Sequence, residues 1–578
     1  MRVYRVLLVV VVFVFMLGAR ARAVELPAGY YQLMAAKLKE IKAAEELPDN
    51  PAAMFAAAVL YAQQHPANPS HGDQQLLELA LQIGDQVARS SEQDTTEDRQ
   101  DYEWEIHFWL DAYRLLEAHL EPERRERWRT AIDQNINWFA PQVEARIDFP
   151  RYQGPFIRTS TNHYAIWSSA VYLAGRVLLN KEWEELGTRA MHRLATEEQT
   201  ADGYWGEHTD NGPATGYDYL TMTCVALYWE HSRDTAALEA LRRSTNFHKY
   251  FTWPDGTPVE TINGRNRHWS VNVWGHFGFS HWPDGRRYAE FLTSFFTAEN
   301  VRPRDLGRMA QNALYYHEGP VGPIPQDRAR FEYQLQVPAG VRRVQPWTIC
   351  LSGLVDRPTT SQFTLDRQGT LSIYHDQLGM IVTGANSKHQ PELATFMETA
   401  DGQVTTVPHS SQLRMTDQLD QLGLAHRRFF AVLNVAPPQP ERLRFWFEIV
   451  EQGHGRMRDV RLNLQLVLKG GETLETAHSS NVLGTDRVEL GPAEIGGWIR
   501  HRGWTLHVDP TARLTWPVFG FNPYRNAPET ELHHAVGMLT VPVRVQPPAD
   551  GPLNWRRQEI AFTLEHSSLP PEAQPPVR

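Results

Sequence analysis

Three short stretches carry side chains that could move a proton beside a carboxylate. The first, Thr159-Ser160-Thr161-Asn162-His163-Tyr164, stands just before an apolar run of helical spacing. Its hydroxyl residues are placed to cap that helix. Asn162 and His163 then sit at a helix N-terminus, where free amides and the helix dipole favour an anion. The second runs from Asp202-Gly203-Tyr204-Trp205-Gly206-Glu207-His208, a turn and loop, to Gly212-Pro213-Ala214-Thr215-Gly216-Tyr217-Asp218-Tyr219. Thr215 and Asp218 have the spacing of a capping box with Asp in place of Glu, which makes Asp218 a capping acid. Tyr217 and Tyr219 fall in the first helical turn, each a phenol at a domain mouth or a core tyrosine. The third, Thr261-Ile262-Asn263-Gly264-Arg265-Asn266-Arg267-His268, follows a Trp253-Pro-Asp-Gly turn and reads as loop. Arg265 and Arg267 could fork onto a carboxylate or sulfate, or simply charge the surface.

Together these residue types suit β-elimination at a uronic acid. The proton on the carbon next to a uronate carboxylate is barely acidic while that carboxylate keeps its charge. Asn, His or Arg donors that neutralise it bring an enolate-like intermediate within reach. A Tyr or His then takes the proton, and a Tyr can return one to the leaving oxygen. The rival chemistry, glycoside hydrolysis, needs two carboxylates flanking the bond. Glu103, Glu105, Asp111, Glu207 and Asp210 are its candidates, and none has a convincing loop partner in the sequence. A glycan-binding protein without turnover is the non-enzymatic alternative.

The elements that must position these loops change character along the chain. From Pro51 to about Tyr316 apolar residues recur at helical spacing. The spacing predicts helices over Ala52–Gln64, Gln74–Ala88, Tyr102–Leu120, Glu123–Phe139, Asn162–Leu179, Lys181–Glu197, Gly216–His231, Thr235–His248, Arg286–Phe296 and Asp305–Tyr316. Short turns between them imply antiparallel neighbours in a bundle, a solenoid or an α/α toroid, and no fixed-period repeat is present. After about Pro325 short alternating runs take over, such as Phe331–Val337, Thr370–Tyr374, Arg444–Val450, Leu462–Leu468 and Thr505–Val508. These read as strands of a large antiparallel sandwich. The expected fold class is therefore α+β and multidomain: an N-terminal α/α toroid, or incomplete barrel, over residues 24–325, then an antiparallel β-sandwich over 326–568. Residues 569–578, rich in proline, read as a disordered tail.

The N-terminus has the order of a secretory signal over residues 1–23: Arg2 and Arg5, the apolar run Val6 to Leu17, then Ala21-Arg22-Ala23. The expected location is therefore secreted or periplasmic, with no membrane span elsewhere. With 578 residues and a formal charge of −11, general nucleic-acid binding is disfavoured. An anionic partner is not, because Arg265, Arg267, Arg286, Arg287, Arg302, Arg304 and Arg308 share one acid-poor stretch. That stretch makes either a groove for a polyanion or a solvated basic face. The two cysteines, Cys224 and Cys350, read as buried free thiols, and no compact metal-ligand spacing or cofactor motif is seen.

On these stretches the chain resembles the heparinase II/III-like group of polysaccharide lyases and its neighbours. Asn162-His163 is similar to the Asn-His pair of the alginate-type lyases. The run from Asp202-Gly203 through His208 to Thr215-Gly216-Tyr217 is similar to the Asp-Gly…His…Thr-Gly…Tyr loop of hyaluronate and chondroitin lyases. The resemblance implies a toroid followed by a β-sandwich, and a carbon–oxygen lyase acting on a uronate-containing polysaccharide. It implies Asn162 as neutraliser, Tyr217 as main catalyst with Tyr219 in the alternative register, and His163 or His208 as assistant. Arg265, Arg267, His268 and Trp205 are the expected substrate contacts. Some relatives add a histidine from the β domain, for which His389 and His409 are the options.

Overall fold

The computed structural model describes residues 25–44, 47, 50–91, 102–147, 161–206, 212–265, 270–355, 362–363, 365, 367–452, 457–546 and 556–566. The expected signal segment and the C-terminal tail lie outside these residues. Among them, no helix is long and apolar enough to cross a membrane.

The first half is helical. Its helices are α1 Ala28–Lys42, α2 Pro51–Ala62, α3 Gln74–Ser91, α4 Ile106–Leu116, α5 Pro122–Ile147, α6 Thr161–Val177, α7 Lys181–Arg193, α8 Thr215–Ser232, α9 Thr235–Tyr250, α10 His276–Phe279, α11 Pro283–Thr293 and α12 Leu306–Tyr315. Starts are set by local chemistry. The Asn50 carboxamide oxygen accepts from the Ala52 and Ala53 amides at 2.7 and 3.3 Å, and Pro51 opens α2. Asn180 and Asp234 cap α7 and α9 in the same way. Helix α2 is apolar on every side, and residues 51–60 are all buried, so it lies inside the helical half rather than on its rim.

The second half is built from strands, beginning at Arg330–Gln334. They form an eleven-stranded and a nine-stranded antiparallel sheet. One apolar core joins the two: Ile349, Ile373, Leu462 and Leu539 from the larger sheet meet Leu433, Phe445, Phe447 and Phe562 from the smaller. Strict alternation along Arg442–Glu451 produces this, one side buried and the other wet. The expected strands Thr370–Tyr374 and Leu462–Leu468 occur as Leu371–His375 and Val460–Leu466.

A third cluster joins the halves. Tyr204, Phe247, Phe251, Trp253 and Ile262 of the helical half pack with Val341, Cys350 and Tyr374 of the larger sheet and with Leu335 just after its first strand. Within it Trp253 stacks on Tyr374 and Tyr250 on Tyr333. Beside it the buried Glu260 carboxylate reaches across the junction. It accepts hydrogen bonds from Ser372 Oγ at 2.5 Å, Thr383 Oγ1 at 2.9 Å and Trp253 Nε1 at 2.8 Å. Both cysteines are free and buried, Cys224 in α8 and Cys350 in this junction.

Candidate active site

Tyr217 stands in the first turn of α8 on the wall of a cleft of about 490 Å³. The rest of the wall comes from distant parts of the chain. Trp104 belongs to the short turn Tyr102–Trp104, and Val271, Asn272 and Trp274 to the segment before α10. Arg302 precedes and Arg304 lies within the turn Pro303–Asp305 before α12, and Arg308 lies in α12 itself. Tyr524, on the hairpin formed by Phe521–Asn522 and Ala527–Pro528, comes from the β half. Its hydroxyl is in close hydrogen-bonding contact with that of Tyr217.

Arg265 touches Tyr217 from another side. Its guanidinium lies 5.0 Å from the centre of the Tyr217 ring and 4.8 Å from that of Phe363. The fold delivers it by pinning the loop before it. Gly264 N donates to Pro213 O at 2.9 Å, Leu365 N to Gly264 O at 2.8 Å, and Asn386 Nδ2 to Asn263 O at 2.9 Å. The Arg367 side chain passes between Gly212 and Gly264 and donates to Pro213 O. A Cβ on either glycine would meet that guanidinium at 2.2 or 2.5 Å, so a side chain at either position would have to displace it.

Burial pushes the Tyr217 phenol far above its ordinary value, and the neighbouring Tyr524 adds to the shift while Arg265 opposes it. Tyr217 therefore keeps its proton near neutral pH. Arg308, half-buried with its guanidinium 3.7 Å from the Trp274 ring centre, is pulled down to about 9 chiefly by desolvation. Arg302 and Arg308 share Asp305, with contacts of 2.8 and 3.4 Å. Exposed Arg304 has no carboxylate partner among the described residues. Among the described lining residues there is no carboxylate. A larger cavity, about 990 Å³ between α5 and α7, has a net acidic rim: Glu144, Glu182, Glu184 and Glu185 outnumber Lys181 and Arg189, which disfavours an anion.

Asn162 and His163 open α6. Thr161 Oγ1 donates to Gly206 O at 2.7 Å, which ties this helix start to the second loop. Asn162 is buried, and among the described residues neither atom of its amide has a hydrogen-bond partner. His163 Nδ1 lies 2.6 Å from Glu103 Oε1, and Glu103 Oε2 accepts from Trp167 Nε1 at 2.6 Å. The His163 ring meets Trp104 edge-on at 5.3 Å, one ring behind the cleft wall.

Several expectations take a different form. Tyr219 faces the core: it stacks on His248 at 3.7 Å, and its hydroxyl meets Tyr288. Trp205 is 1% exposed with its Nε1 donating to Leu194 O at 2.9 Å, so it offers no face to a sugar. The capping box does not form. Asp218 Oδ1 accepts from the Trp205 amide at 2.6 Å, its other oxygen lies 2.9 Å from His248 Nε2, and among the described residues the Thr215 hydroxyl has no partner. Asp218 thus anchors the second loop to α8, and burial raises its pKa. Of the basic stretch, Arg286 is spent on the Ser280 and Pro320 carbonyls and Arg287 on Asp327. His208, Arg267, His268, Glu207 and Asp210 lie outside the described residues. His389 meets Phe521, on the hairpin that carries Tyr524, at 5.3 Å, whereas the His409 amide bonds Ala425 O beside the smaller sheet. Sequence reasoning missed Trp104, Trp274 and Tyr524, whose only signal was aromatic character.

No family model matches the chain, and no curated protein does. Among solved structures, it is similar to the heparan sulfate lyase HepC of Pedobacter heparinus, at 10% identity and a TM-score of 0.45, over 93% of this chain and 87% of that one. It is also similar to heparinase III, the BT4657 gene product, at 12% identity and a TM-score of 0.45, over 80% and 66%. An unsaturated glucuronyl hydrolase specific for heparin aligns with 46% of this chain and 82% of its own, at 13% identity and a TM-score of 0.32.

Proposed function

We propose that the protein is an exported polysaccharide lyase that cleaves a uronate-containing glycan by β-elimination in the Tyr217 cleft. The helical half is read as an incomplete α/α toroid and the two sheets as a β-sandwich. The observation that carries the proposal is the composition of the cleft. A phenol stands among Arg265, Arg302, Arg304 and Arg308, with two tryptophan faces nearby and no carboxylate among the described lining residues. Such a wall attracts an anionic sugar, and its described residues offer no carboxylate pair of the kind hydrolysis needs. Of the hydrolase candidates among the described residues, Glu103 is committed to His163 and Trp167, buried Asp111 to Arg114 and Tyr315, and Glu105 lies near enough to Arg308 to favour its charged form.

In this reading the arginines, with the Asn162 amide, neutralise the substrate carboxylate, which acidifies the neighbouring C–H. Tyr217, protonated at rest, is ready to protonate the leaving glycosidic oxygen. Its service as base requires the phenolate, which Arg265 favours, so turnover rises with pH above neutrality. His163, oriented by Glu103, is the second proton carrier. Trp104 and Trp274 offer sugar-stacking faces.

The deciding experiment incubates the mature chain with a panel of uronate polymers, starting with heparan sulfate, and follows ultraviolet absorbance. A conjugated, unsaturated uronate at the new non-reducing end is the expected product. Saturated products would make it a hydrolase, and binding without cleavage a glycan-binding protein.

A further inference from the structure

Glu230, His281 and His317 converge on the helical half away from the cleft. Glu230 sits in the last turn of α8, His281 just after α10, and His317 just after α12. Their ligand atoms all lie within 4.8 Å of one another. His317 Nε2 is 2.6 Å from Glu230 Oε1, and His281 Nε2 is 3.7 Å from the same oxygen. The second oxygen, Oε2, is taken by Arg233 at 3.2 Å. The His281 side chain is only 7% exposed, yet among the described residues its Nε2 has no hydrogen-bond partner. A buried ring nitrogen in that condition is costly unless something else engages it.

We propose that these three side chains bind one divalent transition ion of zinc's class. Two imidazole nitrogens and one carboxylate oxygen are the donor set zinc takes, and a poor set for calcium or magnesium, which prefer oxygen alone. Ligands about 2.0–2.1 Å from a tetrahedral ion stand roughly 3.3 Å apart. To reach that spacing the 3.7 Å pair closes by about 0.4 Å and the 2.6 Å pair opens by about 0.7 Å. An ion here occupies the orphaned His281 nitrogen and fastens three chain segments at one point. The His317 side chain is 34% exposed, which gives water access to an ion held here. Trp229 lies 4.3 Å from the His281 ring and 5.6 Å from that of His317, and walls the site on one side. The ligands are far apart in the chain, so no motif spacing marks them.

The test uses the untagged mature chain, stripped with a chelator, dialysed, and given zinc or cobalt in small excess. One zinc per chain is expected by elemental analysis, with visible d–d bands of tetrahedral cobalt. Zinc is expected to raise Tm by about 2–5 °C over the stripped chain. A second, exposed group, Glu531, His533 and His534, could also take an ion, so the double variant His533→Ala, His534→Ala is the reference and must keep the zinc. His281→Ala and His317→Ala in that background are expected to lose the bound zinc and the cobalt bands. His317 is half-exposed, so its variant tests the site even where His281→Ala fails to fold, as judged by circular dichroism. A reference chain that takes up no zinc overturns the proposal, and so does a folded His317→Ala chain that holds it undiminished.

Discussion

Tyr217 and Tyr219 are two residues apart on one helical turn and live in opposite environments. Successive helical residues turn by about 100°, so positions i and i+2 point to nearly opposite faces. One face of the α8 start carries Tyr217 into a cleft lined by arginine and tryptophan. The other carries Tyr219 into the apolar core against His248, Phe279 and Tyr288. The stretch Gly-Tyr-Asp-Tyr therefore cannot give both phenols to one site. Its register is decided by which side of the helix the rest of the fold buries.

Substituting the two tyrosines breaks that comparison most directly. Tyr217→Phe is expected to lower kcat by about 10²–10⁴-fold with an unchanged circular dichroism spectrum. Tyr219→Phe should keep most activity and lose about 1 kcal/mol of stability, because Tyr288 still has Thr252 as a partner. Unsaturated-product assays and denaturant melts on both variants measure this. The reverse pattern, a dead Tyr219→Phe beside an active Tyr217→Phe, would move the chemistry to the core face.

Asn162→Ala sharpens the same division. Its amide is buried and unpartnered among the described residues, so truncation removes little structural hydrogen bonding. A rate loss then reports chemistry. Roughly a hundredfold fall in kcat is expected, the size seen when one preorganised donor is removed from a developing anion. A variant that melts several degrees lower at full activity would make Asn162 a packing residue.

Arg265 bears on the proton itself. It lowers the Tyr217 pKa against a larger upward push from burial. Removing it leaves the phenolate still harder to form, so the rising limb of kcat/KM must move to higher pH in Arg265→Ala. About a tenfold loss near neutral pH, shrinking as pH rises, is expected. A loss of equal size at every pH would assign Arg265 to substrate binding alone.

How much of this could be read from the chain depends on the range of the interaction. The helix-to-strand switch was legible because periodicity is local: α8 was expected over Gly216–His231 and runs Thr215–Ser232. Asn162 at a helix start was legible for the same reason. Asp218 was misread because Thr-x-x-Asp describes a cap only if nothing else claims the acid. The Trp205 amide, thirteen positions earlier, claims it at 2.6 Å. Trp205 looked like a sugar platform because exposure cannot be read from residue type. Tyr524 left no signal beyond its aromatic ring, since a hairpin in the β half brings it to the cleft. The basic stretch was half right: Arg302, Arg304 and Arg308 line the cleft and Arg265 lies against Tyr217, while Arg286 and Arg287 serve local contacts.

The smallest expected effect tests the field of the cleft rather than any contact. Arg302 and Arg308 are held by Asp305, so part of their charge is already answered, whereas exposed Arg304 has no carboxylate partner among the described residues. An unanswered, solvated cation attracts a polyanion at long range, and salt screens it with a Debye length of about 8 Å at physiological ionic strength. Arg304→Ala is therefore expected to raise KM about three- to tenfold at low salt with little change in kcat. The difference from the wild-type chain should shrink as salt is added. Replacing Glu184 in the acid-rimmed groove between α5 and α7 with Gln should leave KM where it was. A KM for Arg304→Ala that ignores ionic strength would mean that the cleft holds its substrate by short contacts. A Glu184→Gln chain with altered KM would mean that the glycan also runs across the acidic face.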